Sequence, residues 1–135
     1  MGNSGTRGQT RILLVDDEPS LLKMMSVYLA RRGYAVSTMS TTEQASALVD
    51  AEPLAFSVAV LDATMGGLGM ETLAQKLLGL NPSLRVVAAS GYPVDMSVLE
   101  TAAPGRVTFL HKPFTPEMLA ETVRRMLAAE EEAGL

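Results

Sequence analysis

Five side chains capable of chemistry stand at the ends of apolar runs. Asp16 and Asp17 follow Arg11-Ile12-Leu13-Leu14-Val15, Asp62 follows residues 56–61, Ser90 follows 84–89, and Lys112 comes just past 106–110. If the runs are parallel strands, these positions share the carboxyl edge of the sheet, where open α/β sheets bind ligands. Three carboxylates brought together repel one another and raise each other's pKa unless a cation joins them. With oxygen ligands and an incomplete protein shell, the cation that fits best is Mg²⁺, which keeps waters and favours phosphate. An anion such as a phosphoryl group would then be held jointly by the metal, Lys112 and Ser90. Asp62 is the candidate nucleophile, because a carboxylate can form an aspartyl phosphate.

The positioning elements are legible in the hydropathy. Residues 11–15, 56–61 and 84–89 are nearly continuous apolar runs, the mark of strands buried on both faces, whereas 34–39 and 106–110 read as strands less cleanly. Met70, Leu73, Leu77 and Leu80 predict one helical stripe, and Leu119, Val123, Met126 and Leu127 another. Thr41 with Gln44 resembles a capping box, and Thr115-Pro116 puts a cap before a proline at the first helical position. Arg31-Arg32-Gly33 supplies cations at a helix end and a glycine just beyond it. Five strands alternating with five helices imply an α/β fold, a doubly wound parallel sheet with helices on both faces. The expected organisation is a tail over 1–10, one domain over 11–130 and a second tail over 131–135, with Glu130-Glu131-Glu132 a solvated helix end.

Each polar residue alone has an ordinary reading. Asp-Asp-Glu after a strand is often a helix N-cap with an acidic first turn, Asp62 and Ser90-Gly91 could be turns, and Lys112-Pro113 a loop. Their joint occurrence, in this order, is specific. Val15-Asp16-Asp17-Glu18, Leu61-Asp62 with Met65, Ala89-Ser90-Gly91 and Lys112-Pro113-Phe114 together resemble the signature of two-component receiver domains over roughly residues 10 to 128. That resemblance implies strand order 2-1-3-4-5 and a switch more than an enzyme, one that catalyses its own phosphotransfer and dephosphorylation. It implies phosphorylation of Asp62 by a histidine kinase, separate or in the same polypeptide. It further implies Mg²⁺ held by Asp17, Asp62 and the Thr64 carbonyl, with Asp16 acting through a metal-bound water. Ser90 and Lys112 would contact the phosphoryl oxygens, and Phe109 takes the aromatic switch position, expected to lie largely inward. The Lys112–Pro113 bond is expected to be cis, and a downstream protein would dock on the fourth helix, fifth strand and fifth helix.

Two features depart from the pattern or stand outside it. Met65-Gly66-Gly67-Leu68-Gly69-Met70 carries glycine where the family usually has proline, which adds backbone freedom and predicts a mobile loop. His111, the only histidine, is expected to face solvent or a helix. The wording around Ser90-Gly91-Tyr92 and Lys112 to Pro116 is similar to receivers appended to hybrid histidine kinases. A haloacid-dehalogenase-like phosphatase would need a second aspartate where Thr64 stands. A flavodoxin-like cofactor binder would need more than three Tyr, three Phe and no Trp. A net charge of −4 gives no basic face for nucleic acid, the lack of cysteine excludes thiolate chemistry, and no run reaches membrane-spanning length. A cytoplasmic location is expected.

Overall fold

The computed structural model describes residues 9–133, with side chains described as far as Ala128. The expected tail over 1–10 lies outside these residues as far as residue 8. Strands and helices alternate strictly: β1 (Arg11–Val15), α1 (Pro19–Arg31), β2 (Ala35–Met39), α2 (Thr42–Ala51), β3 (Val58–Asp62), α3 (Met70–Leu80), β4 (Arg85–Ser90), α4 (Ser97–Ala102), β5 (Val107–His111) and α5 (Pro116–Ala133). The backbone of α5 thus runs three residues past the boundary expected at 130.

All strand pairings are parallel and the order is β2-β1-β3-β4-β5. Every residue of β3 and β4 is buried, and both are apolar apart from Arg85 at the start of β4 and Asp62 and Ser90 at the carboxyl ends, while β2 and β5 are half-exposed edges of mixed composition. Alternate side chains of β1 serve two cores. Ile12 and Leu14 pack with Leu22, Met25 and Leu29 of α1 and with Leu119 and Val123 of α5. Leu13 and Val15 pack on the other face, against α2, α3 and α4.

Local signals account for the helix ends. Thr41 Oγ1 accepts the Gln44 N–H at 3.0 Å, while Gln44 Oε1 reaches back to the Ser40 N–H at 3.1 Å, one residue earlier than the standard box. Thr115 Oγ1 accepts from Met118 N at 3.1 Å. After α1, Gly33 sits at φ +97. Its N–H reaches the Ala30 carbonyl and that of Tyr34 the Leu29 carbonyl, so a Schellman motif ends the helix.

One expected core residue is misplaced by the sequence. On α3, Met70, Leu73, Ala74, Leu77 and Leu78 are buried, but Leu80 is 43% exposed. At about 100° per residue, position 80 lies about 80° off the Met70 direction and position 81 only about 20°. The inward site therefore falls to Asn81, buried with Nδ2 donating to the Phe56 carbonyl at 2.9 Å. Leu77→Ala is expected to cost about 2–5 kcal/mol of unfolding free energy and Leu80→Ala under about 0.5 kcal/mol. Urea denaturation of the two variants checks this, and equal costs would contradict the burial pattern.

Candidate functional site

The strand order places β1 beside β3, each feeding helices to opposite faces, so a crevice opens at their carboxyl ends. Backbone bonds continue the sheet past the strands and fix the chain there. Asp16 N–H donates to the Met39 carbonyl at 3.2 Å, Ala63 N–H to Ala89 at 2.8 Å, and Lys112 N–H to Ser90 at 2.8 Å. Asp16, Asp62, Ser90 and Lys112 therefore have positions set by the ladder, not by loop geometry.

Asp16 is only 3% exposed. Its Oδ1 accepts the Glu18 N–H at 2.9 Å and its Oδ2 accepts from Lys112 Nζ at 2.9 Å. It does not cap a helix: α1 has Glu18 at its N-cap with no side-chain cap bond, and no acid in its first turn. Asp17 beside it is exposed. Asp62, 4% exposed, ends β3. Its Oδ1 accepts from both the N–H of Thr64 at 3.0 Å and the Thr64 hydroxyl at 2.8 Å, while Oδ2 lies 3.5 Å from Lys112 Nζ. Ser90 is wholly buried and its Oγ accepts the Tyr92 N–H at 3.0 Å. The Lys112–Pro113 bond is cis, as expected.

One carboxylate oxygen each from Asp16, Asp17 and Asp62 lies within 4.8 Å of the other two. A single ammonium, Lys112, contacts two of these acids. Burial pushes the Asp16 carboxyl above its ordinary range; the Lys112 and Glu18 hydrogen bonds oppose that and the Asp62 charge adds to it. Burial alone would lower the Lys112 ammonium, but the Asp16 hydrogen bond and the charges of Asp16 and Asp62 together hold it above its usual value. Lys112 is thus firmly cationic, one ammonium facing three clustered carboxyl groups. That imbalance, with only oxygen donors, suits a hard divalent cation such as Mg²⁺.

Phe109, on edge strand β5, is partly buried and packed against the α2-α3-α4 core. Its ring meets exposed His111 edge-on, with centroids 6.1 Å apart at 87°. The loop expected to be mobile meets α2 at Thr42: Leu68 N–H donates to Thr42 Oγ1 at 3.0 Å and the Thr42 hydroxyl lies 3.3 Å from the Gly66 carbonyl. Sequence reasoning assigned Thr64 only a carbonyl role and missed its side chain. The clue was a hydroxyl residue two after an aspartate, the spacing of an Asx-type turn. Thr64 presents a hydroxyl to Asp62, where a dehalogenase-like phosphatase would need a carboxyl group as acid/base.

A family model for the response regulator receiver domain matches residues 12–124. The alginate biosynthesis transcriptional regulatory protein AlgB of Pseudomonas aeruginosa is 33% identical over 120 residues, covering 88% of this chain and 26% of that protein. The sensor kinase CckA of Brucella abortus is 28% identical over 124 residues, covering 92% of this chain and 13% of that protein. The chain thus spans about a quarter, or less, of the length of these relatives. A CheY-like receiver domain protein from Methanospirillum hungatei superposes with a TM-score of 0.82 at 26% identity, over 93% of this chain and 99% of that one. The receiver domain of hybrid histidine kinase CckA gives 0.73 at 30% identity, over 87% and 98%. Among the described residues no helix is long and apolar enough to cross a membrane. Sheet order, acid pocket and family match agree, and the chain belongs to the response regulator receiver domains of two-component systems.

Proposed function

We propose that Asp62 is the phosphoacceptor of this receiver and that a histidine kinase, separate or in the same polypeptide, is the donor. The observation that carries this is the state of the Asp62 carboxylate. It is buried at a strand end, with Oδ1 fixed by two Thr64 hydrogen bonds and Oδ2 turned to Lys112. Oδ2 attacks the phosphorus of a phosphohistidine, an O–P bond forms as the N–P bond breaks, and the electron pair leaves on the imidazole nitrogen. Lys112 and the Ser90 hydroxyl hold the phosphoryl oxygens as negative charge develops. Asp17, Asp62 and the Thr64 carbonyl would hold Mg²⁺, with Asp16 orienting a bound water. When bound, the metal supplies positive charge that offsets the clustered acids and the phosphoryl oxygens. Later, water attacks the same phosphorus, the O–P bond breaks, and the carboxylate and inorganic phosphate are released. The domain thereby catalyses both its own loading and its own reset.

Phosphate on Asp62 draws the Ser90 hydroxyl toward it, and Phe109 on the adjoining strand moves further inward. A full transfer of the ring from water is worth about 1.5–3 kcal/mol, and a part-buried ring has only a fraction of that left to gain. Phosphorylation therefore shifts a population between nearby states. The altered surface is α4-β5-α5, which presents the signal to a downstream protein in the cytoplasm; nucleic acid and membrane are not assigned as partners of this domain.

Acetyl phosphate with Mg²⁺ is expected to add one phosphoryl group to the wild type by intact mass and none to Asp62→Asn or in the presence of EDTA. Labelling of Asp62→Asn at the wild-type level would refute the assignment. Mg²⁺ at ten times its Kd should add about 1.4 kcal/mol to the unfolding free energy. Asp17→Asn, at an exposed position, should remove most of that gain without lowering metal-free stability, and retention of the full gain would exclude Asp17 as a ligand. With beryllofluoride, amide shifts should spread from Asp62 to Phe109 and residues 94–101. Changes confined to the acid pocket would exclude this switch.

A further inference from the structure

The loop joining β3 to α3 departs from its family in having Gly66-Gly67, yet it is not loose. Thr42, the first residue of α2, is 2% exposed and directs its hydroxyl into that loop. Its Oγ1 accepts the Leu68 N–H at 3.0 Å and stands 3.3 Å from the Gly66 carbonyl and 3.2 Å from Glu43 Oε1. Gly67 lies between those two contacts at φ +71, and a Cβ built there would meet the Glu43 carboxylate, the end of a flexible side chain, and also Thr42 Oγ1 at 2.6 Å. Thr42 is buried and β-branched, so it cannot swing aside as a long flexible side chain would. The glycine is thus required twice, by backbone conformation and by closeness to Thr42.

From the geometry we infer that Thr42 is a positioning residue for phosphoryl transfer, acting on Asp62 through the β3–α3 loop; this rests on the reading of Asp62 given above. Coupling runs through contiguous contacts. At its start the loop is tied to β4 by the Ala63 N–H to Ala89 carbonyl bond. Thr64 comes next and fixes Asp62 Oδ1 with two hydrogen bonds. Gly66 to Leu68 then rest on Thr42. Removal of the hydroxyl leaves the Leu68 N–H without its acceptor and a two-glycine segment without its anchor. Thr64 then samples more conformations, and both its grip on Asp62 and the position of its carbonyl loosen. Positioning partners of this kind commonly change metal affinity by about 10–100-fold when removed.

Thr42→Val keeps the shape and deletes the hydroxyl, while Thr42→Ser keeps the hydroxyl. In the metal-free chain, hydrogen exchange of the Leu68 amide should be at least about tenfold faster in Thr42→Val. Its Mg²⁺ Kd, measured by calorimetric titration, should rise about tenfold. Labelling by acetyl phosphate should slow to a similar extent at subsaturating Mg²⁺, and Thr42→Ser should restore all three. Gly67→Ala, which forces the loop off an intact Thr42, should reproduce the Val phenotype. A Thr42→Val protein with Mg²⁺ affinity within twofold of wild type overturns the proposal, as does a folded Thr42→Ser that fails to restore it. If the wild type itself takes no phosphoryl group, the assignment of Asp62 fails instead, and Leu68 exchange with Mg²⁺ affinity still judges the anchor.

Discussion

Lys112 Nζ stands 2.9 Å from Asp16 and 3.5 Å from Asp62, and both carboxylates are almost entirely out of water. Taking a carboxylate from water costs several kcal/mol even after relaxation, and one ammonium shared between two acids recovers this only with good geometry and further hydrogen bonds. Those bonds are present. Glu18 donates its N–H to Asp16, and Thr64 donates both N–H and hydroxyl to Asp62. Such an arrangement is tolerated because it sits on the edge of a sheet whose stability comes from elsewhere. Leucines and valines on both faces of β1, β3 and β4 supply the apolar burial. The pocket is a locally unfavourable concentration of like charge supported by a well-packed scaffold, and it gains most from binding a cation or a charged group that uses one.

The parallel sheet is what makes the placement tight. In a parallel ladder every strand ends on the same edge, so residues distant in sequence arrive together without any loop adjusting to bring them. Asp16 and Lys112 are 96 positions apart yet hydrogen-bonded. The continuation of the ladder into Ala63 and Lys112 carries that rigidity one residue beyond the strands. Ser90, fully buried at the end of β4, lies between the Asp62 strand and the strand bearing Phe109. Beside it, β5 is an edge strand, half-exposed and with fewer packing constraints than β4.

Much of this was legible in the residue pattern, for physical reasons that also explain the misses. Inner strands buried on both faces are largely apolar, so β1, β3 and β4 were evident, and the candidates Asp16, Asp17, Asp62 and Ser90 stand out by position after such a run, whereas Lys112 follows the less clearly apolar edge strand β5. Edge strands β2 and β5 satisfy two environments and blur accordingly. Leu80 was misjudged because apolar residues spaced by three drift off a helical face, and the true inward position was filled by a polar residue, Asn81. Phe109 packs partly against the core from a half-exposed strand, with its ring edge-on to His111. Thr42 carried no local signal at all. As the first residue of a helix it looked like ordinary capping context, and its partners lie 24 and 26 residues further along the chain.

The glycines at 66 and 67 alter the energetics of the loop in a definite direction. A proline in a compatible turn would stabilise the folded state by roughly 0.4–1 kcal/mol, by restricting the unfolded chain. Glycine forgoes that and adds backbone freedom that folding must remove. Hydrogen bonds to Thr42 return a comparable amount, since each is worth about 0.5–1.5 kcal/mol net. The two devices are close in free energy but differ in kind. A proline ring stiffens the chain in every state, whereas a hydrogen bond to Thr42 stiffens it only while the loop is docked on α2. Opening the loop therefore requires breaking only its few hydrogen bonds to Thr42. For the phosphoacceptor role proposed for Asp62, fixed during transfer and reached by water during reset, such a support is rigid when docked and inexpensive to release.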